Sequence, residues 1–223
     1  MLNVQSLTKS YGKKEILKNL SFTVHSGEIV GLVGENGAGK STLLHILATL
    51  KKTTNGEIFL NGHAYSSSNS NIRKQIGFVP QDIALWEDLT VEENMIFFEK
   101  LSWITRDKQQ LQQLCLDMNL EKWKETVNTL SGGMKRKLNL AISLIHDPQV
   151  LLLDEPTAGI DLKSRKEIAA YLKNLAEEHH KIIIYTSHDV DEISSLCDRV
   201  LCIGDDLFYK EILEAAGKHV VTF

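Results

Sequence analysis

The sequence predicts an α/β chain: a mainly parallel core sheet built around a glycine-rich loop, with a small antiparallel β piece near the N-terminus and a helical lobe inserted midway. Three observations carry this reading. Glu28–Gly34, Val150–Leu153 and Lys181–Tyr185 are nearly continuous apolar runs, the pattern of strands covered on both faces. Helical periodicity separates them. Between the first run and the helix after it lies a glycine loop of fixed spacing, Gly34-Glu-Asn-Gly-Ala-Gly39-Lys40-Ser41.

Taken in order, Leu20, Phe22 and Val24 alternate with polar neighbours and predict a half-covered strand. Glu28–Gly34 follows as a buried strand. After Gly39, Leu43, Leu44, Leu47 and Leu50 fall at helical spacing, and Lys51-Lys52 suits a helix C-terminus. Turn signals at Thr54-Asn55-Gly56 and Asn61-Gly62 bracket an alternating run, Glu57 to Leu60, which predicts an antiparallel piece. Ser66 to Asn71 reads as an exposed polar loop. From about Leu85 to Ile145 the character turns helical, opening with the capping-box pattern Thr90-Val-Glu-Glu93 and with Val91, Met95, Phe98 and Leu101 on one face. Trp86, Trp103 and Trp123 all lie in this stretch. Leu138, Ala141, Ile142 and Ile145 mark a helix that begins near Ser131 and stops before Asp147-Pro148. Strand and helix then alternate: Val150–Leu153, a helix through Ile168, Tyr171, Leu172 and Leu175, the strand Lys181–Tyr185, a short helix through Ile193, Leu196 and Cys197, and a final strand around Val200 to Ile203.

Composition excludes several classes. The chain has 223 residues, with 25 basic against 29 acidic, so no electrostatic footprint for nucleic acid is visible and an anionic ligand needs a local device. No apolar run approaches a membrane span, and Met1 to Glu15 does not resemble a signal peptide; the expectation is a soluble, cytosolic protein. Cys115, Cys197 and Cys202 lack the spacing of a zinc site or a disulfide framework and read as buried small hydrophobes.

In the glycine loop, backbone N–H groups need close approach to phosphate oxygens, which excludes side chains at Gly34, Gly37 and Gly39. Lys40 can reach β- and γ-phosphates, the helix N-terminus adds partial positive charge, and the Ser41 hydroxyl can ligate Mg²⁺. Chance would produce the four fixed positions in roughly one chain in a hundred of this length, so a nucleoside triphosphate site is the stronger reading. Val150–Leu153 runs into Asp154-Glu155. Successive strand residues point to opposite faces, so one carboxylate can serve the metal and the other a water: Asp154 is assigned to the metal's outer shell and Glu155 to water activation. Leu130-Ser131-Gly132-Gly133-Met134 is a second helix start able to hold an anion.

The phosphate loop, Gln81 after Gly77-Phe-Val-Pro80, Leu130-Ser-Gly-Gly133, Asp154-Glu155, Ala158-Gly-Ile-Asp161 and His188 occur in the order seen in ATP-binding cassette (ABC) ATPases. The resemblance extends from Tyr11 to His188. It implies a P-loop NTPase fold in which 1–223 form one nucleotide-binding domain, with a helical subdomain inserted at about 85–145. It implies ATP and Mg²⁺, the nucleotide being contacted by Gly34, Glu35, Asn36, Gly37, Ala38, Gly39, Lys40, Ser41 and Thr42, and the metal by Ser41, Gln81 and Asp154. Tyr11 sits where the family stacks an aromatic on adenine, a contact of about 1–3 kcal/mol. Gln81 resembles the loop glutamine that touches Mg²⁺ or water, and His188 the switch histidine at the γ-phosphate; with Glu155 and Lys40 these are the catalytic candidates. In the family two cassettes stack head to tail, so Ser131, Gly132 and Gly133 of one close over ATP held by the other, and Asp161 crosses to the partner. One copy of each motif therefore implies a homodimer or heterodimer.

Met134 stands where glutamine is commonest and Gly159 lies in a loop more often Ser-Ala-Leu-Asp; with Lys135-Arg136-Lys137 behind them, these variants resemble the cassettes of type-2 ABC exporters. The basic triplet itself reads as a solvated helix face. Trp86, Phe97, Phe98 and Trp103 read equally as lobe core or as a docking groove. The leading expectation is the ATP-hydrolysing subunit of an exporter whose permease is a separate chain, placing it on the inner face of the cell membrane. The alternative is a soluble ABC ATPase acting on the ribosome or nucleic acid, for which the paired cassettes or long coiled coil of such members are lacking. A GTPase or small-molecule kinase shares only the phosphate loop and lacks a guanine-reading Asn-Lys-x-Asp motif.

Overall fold

A computed structural model describes residues 1–66, 69–204 and 208–223. Two sheets organise it. The smaller is antiparallel, with order β2-β1-β4-β5, formed by β1 (Leu2–Tyr11), β2 (Lys14–Val24), β4 (Asn55–Leu60) and β5 (His63–Ala64). The larger has six strands in the order β10-β9-β3-β8-β7-β6, from β3 (Ile29–Val33), β6 (Ile76–Val79), β7 (Val150–Leu153), β8 (Ile182–Thr186), β9 (Arg199–Cys202) and β10 (His219–Thr222). Every pairing within it is parallel. This is the α/β architecture the apolar runs predict.

The helices are α1 (Lys40–Leu47), α2 (Asn69–Arg73), α3 (Val91–Glu99), α4 (Lys108–Leu116), α5 (Gly132–Ser143), α6 (Leu162–Glu177), α7 (Val190–Leu196) and α8 (Phe208–Ala215). The continuous apolar character of the central strands has a direct cause. Leu151, Leu153, Ile183 and Tyr185 face a core shared with α3 to α7, whereas Val150, Leu152, Ile182 and Ile184 face a second core with α1 and the antiparallel sheet. Burying both faces removes the polar alternation a one-sided sheet shows. All three cysteines are buried in the first of these cores, and none is in a disulfide. Among the described residues no helix is long and apolar enough to cross a membrane.

Several local expectations are corrected. The antiparallel sheet is larger than the run Glu57 to Leu60 announced, because β1 lies inside it, paired with both β2 and β4. Register shifts after Val4 and Leu7, with Ser6 at φ 47°, break the alternation that would have marked it. Helix α1 stops at Leu47 rather than running to Leu50: Thr49 has φ 60° and Leu50 is exposed. Of the expected loop Ser66 to Asn71, residues 67 and 68 lie outside the described residues and Asn69 opens the short helix α2. Leu101 lies beyond the end of α3, exposed. The strand at Val200 is not the last, since β10 adds parallel to β9. Within 85–145 the Thr90/Glu93 capping box is present, and a second box, Asp107 with Gln110, starts α4. Trp123 is buried, while Trp86, Phe97 and Trp103 are exposed.

The basic triplet is not a solvated face. Arg136 and Lys137 are 8% and 4% exposed, and each of the three cations has its own partner: Lys135 pairs with Glu87, Arg136 with the backbone of Gln81, and Lys137 with Glu167 on α6. Charge count misled because each long aliphatic stem is covered while its head reaches a fixed acceptor.

Arg199 at the start of β9 ties the two sheets. It pairs with Glu28 and donates to the carbonyl of Thr23 at the end of β2. Arg199→Met should lower the free energy of unfolding by about 1–3 kcal/mol in urea titration, the range for losing charge-assisted hydrogen bonds. Arg199→Lys should recover only part of it, since an ammonium cannot span both acceptors as a guanidinium fork does.

Candidate functional site

The C-terminal ends of β3, β6, β7 and β8 lie side by side, paired at Leu32 with Thr186, Leu153 with Tyr185 and Val79 with Leu153. Whatever follows those strands is therefore gathered at one edge. A cleft of about 520 Å³ there is lined by Tyr11, Ile16, Asn36, Gly37, Gly39, Lys40, Ser41, Thr42, Gln81, Glu155 and His188. Residues from five separate stretches of sequence converge on it. Ile16 has no motif to mark it in the sequence.

In the glycine loop, Lys40 folds back, its Nζ donating to the carbonyl oxygens of Gly34 at 2.6 Å and Glu35 at 3.1 Å. Burial pushes the Lys40 pKa down, opposed by the charges of Glu155 and Asp154. These carboxylates are thus the charges the lysine feels across the cleft. The glycines serve different ends. At Gly34, φ is 143° and a Cβ would lie 2.2 Å from the carbonyl oxygen of Ile203, so packing against the strand exit forbids a side chain. At Gly37, φ is 84° and nothing stands within 4 Å of a Cβ, so only the left-handed backbone and an incoming ligand select glycine there. Gly34, Glu35 and Ala38 support the loop without lining the cleft.

Asp154 and Glu155 lie past the end of β7, so strand alternation does not orient them, contrary to the sequence argument. A buried hydroxyl does. Thr186 Oγ1 donates to Asp154 Oδ1 at 2.9 Å and accepts from the Glu155 N–H at 2.8 Å. Glu155 sits at φ 47°, a left-handed conformation that costs a non-glycine residue about 1–3 kcal/mol and needs surrounding contacts to persist. Its carboxylate is held from both sides: Gln81 Nε2 donates to Oε2 at 3.2 Å, and His188 Nε2 is 2.9 Å from Oε1. Asp154 is buried behind Glu155.

Tyr11 is 47% exposed at the mouth of the cleft, with the ammonium groups of Lys9 and Lys51 at 4.9 Å and 5.8 Å from its ring centroid. An exposed aromatic ring at this position can stack on a planar aromatic group.

Ser131, Gly132, Gly133 and Asp161 do not line this cleft; they form a second cluster where α5 meets α6. Ser131 caps α5 by accepting from the Met134 N–H at 3.3 Å. Asp161 caps α6 through the Ser164 N–H at 2.9 Å and hydroxyl at 2.7 Å, hydrogen bonds that hold its carboxyl below the usual range. Gly133 is packed so closely that a Cβ would lie 2.2 Å from Ser164 Oγ. Arg165 on α6 pairs at 2.5 Å with Asp189, next to His188, linking the two clusters.

Sequence reasoning missed Thr186 and Arg165 and misread Arg136. A hydroxyl ending an apolar strand next to one that runs into Asp-Glu was a usable signal for Thr186; the partners of the two arginines depend on tertiary packing. Thr186→Val keeps the shape but removes the hydroxyl's hydrogen bonds at a site that is 0% exposed, and should cost about 1–3 kcal/mol in chemical denaturation.

The chain is similar to known proteins over most of its length. Residues 17–158 match the family model described as ABC transporter. A shorter stretch, 124–194, also matches a model described as AAA domain, putative AbiEii toxin, type IV TA system, which covers less than half of the chain. The linearmycin resistance ATP-binding protein of Bacillus subtilis (strain 168) is 40% identical over 90% of this chain, and a Nod factor export ATP-binding protein of Rhizobium meliloti (strain 1021) is 42% identical over 91%. This chain spans 65% and 61% of the length of those two relatives. An ATP-binding cassette solved as a dimer in a post-hydrolysis state with ADP and Pi superposes with TM-score 0.79 at 29% identity, covering 91% of this chain and 94% of that one. With the model match extending over more than half of its residues, the chain belongs to the ABC transporter family, as one of that family's ATP-binding cassettes.

Proposed function

We propose that residues 1–223 act as one nucleotide-binding domain, with the stretch of about 85–145 as its inserted helical lobe, and that it hydrolyses ATP to drive a membrane exporter formed by separate permease chains. The observation that carries this reading is the division of the motifs between two places. The cleft collects Tyr11, the phosphate loop, Gln81, Glu155 and His188, while Ser131, Gly132, Gly133 and Asp161 face elsewhere. A head-to-tail pair brings the second set of one subunit over the first set of the other, so that ATP bridges both subunits and its hydrolysis releases them. The dimeric cassette bound to ADP and Pi supports pairing of two such subunits by analogy. Export is supported by the Nod factor export relative, and residence on the inner membrane face follows from docking to a permease.

In the proposed reaction Lys40 releases the carbonyls of its own loop and takes the β- and γ-phosphates, the loop N–H groups cradle the same oxygens, and Tyr11 stacks on the adenine. Glu155 accepts the proton of the attacking water. His188 and Gln81 orient Glu155 and the γ-phosphate, so that catalysis consists mainly of positioning and charge neutralisation. Mg²⁺ fits the donor chemistry present: the exposed Ser41 hydroxyl and the Gln81 amide oxygen are hard oxygen ligands, and the Asp154 carboxylate would serve the metal's outer shell. When bound, it neutralises charge on the β- and γ-oxygens.

Glu155→Gln should retain ATP binding, lower turnover by about 10²–10⁴ and produce an ATP-dependent dimer in sizing chromatography. Turnover at the parent rate would remove Glu155 from its role. Lys40→Ala should weaken nucleotide binding in equilibrium titration while leaving the unfolding transition of the nucleotide-free protein in place.

A further inference from the structure

We propose that Arg136 is a positioning residue for hydrolysis: its guanidinium holds the backbone of Gln81 so that the Gln81 side chain engages Glu155. The proposal rests on the ATPase reading above. Its physical basis is a continuous chain of hydrogen bonds from helix α5 to the acid. Arg136 Nη1 donates to the Gln81 carbonyl oxygen at 2.5 Å, Gln81 Nε2 donates to Glu155 Oε2 at 3.2 Å, and Glu155 Oε1 meets His188 Nε2 at 2.9 Å.

The burial of Arg136 makes this an expensive contact to assemble without purpose. The guanidinium belongs to a residue only 8% exposed, and the charges that favour its protonated form against that burial come from Asp82 and Glu155, on the Gln81 side. Its two neighbours turn elsewhere, Lys135 to Glu87 and Lys137 to Glu167, so within the triplet Arg136 alone reaches Gln81. The other backbone restraints on the segment it grips gather at its far end, where the carbonyls of Glu87 and Leu89 accept from Asn128 and Val127 and where Glu87 pairs with Lys135. No helix or strand lies between Val79, where β6 ends, and Val91, where α3 begins. The far part of that segment is fixed by Asn94, which accepts from the Trp86 N–H at 2.9 Å and donates to the Trp86 carbonyl at 3.0 Å. Arg136 fixes the near part. Because α5 also begins at Ser131-Gly132-Gly133, one rigid helix joins the turn expected to meet a second subunit to the residue that touches Glu155 of the same chain.

The test is a double-mutant cycle on steady-state hydrolysis with Arg136→Met, which keeps the apolar stem, and Gln81→Ala, which keeps the carbonyl but removes the amide. Arg136→Met alone should lower kcat about tenfold or more and change KM for ATP by less than about twofold, the scale of one lost charge-assisted hydrogen bond expressed in the transition state. In the Gln81→Ala background the same substitution should change kcat by less than about twofold, because the group it positions is gone. Arg136→Lys should recover part of the loss, and serves in the same cycle should the methionine variant fail to fold. Additive losses, or a KM effect with kcat unchanged, overturn the proposal. A readout independent of hydrolysis separates its failure from that of the ATPase reading: in nucleotide-free protein the Gln81 side-chain amide resonances should move in Arg136→Met, although Arg136 touches only that residue's backbone. Unmoved resonances overturn the proposal even if the parent hydrolyses ATP; a parent without hydrolysis whose amide resonances do move refutes the ATPase reading alone.

Discussion

Parallel pairing at the centre of the larger sheet is the constraint on which the site depends. With β3, β8, β7 and β6 adjacent and running the same way, their C-terminal ends must lie along one edge, and the residues that follow each strand become neighbours however far apart they are in sequence. The phosphate loop, Gln81, Asp154-Glu155 and His188 are the continuations of those four strands. An antiparallel strand in the same position would carry its continuation to the opposite edge. The buried apolar runs are thus what aligns the polar chemistry.

On that edge, hydrogen bonds set the fine geometry. Thr186 decides where Asp154 and Glu155 point, Gln81 and His188 divide the two oxygens of Glu155 between them, and Lys40 is parked on its own loop. These are short polar links within a rigid frame, so small movements of the frame change which partners each group can reach. The frame has two attachments to α6 that reach the other cluster, Lys137 to Glu167 and the packing of Gly133 on Ser164. Helices α5 and α6 are therefore tied to each other at two points.

Much of this was legible in the sequence, and the reasons differ by element. Strands β3, β7 and β8 announced themselves because burial on both faces leaves no polar position in the run. The glycine loop was legible because several of its positions are each fixed by a separate physical demand. Strand β1 was not, because its bulges break the alternation, and β10 was not, because a short edge strand of intermediate exposure lacks a periodic signal. The clearest misreading concerned Lys135, Arg136 and Lys137: a run of like charges usually marks a solvated face, and only the tertiary fold shows three different acceptors placed for them. The orientation of Asp154 and Glu155 was anticipated on the wrong ground, strand alternation, when a threonine on the adjacent strand sets it.

The first and middle glycines of the phosphate loop bear witness to different things. Gly34 is pinned by the carbonyl of Ile203 and belongs to the assembly of the sheet, whereas Gly37 faces open space. A descendant of this chain that had lost every use for nucleotide would still be under pressure to keep Gly34, and at Gly37 would be held only by the left-handed backbone. Survival of the first glycine in a diverged cassette therefore testifies to architecture, and the middle one is the better witness to a retained ligand.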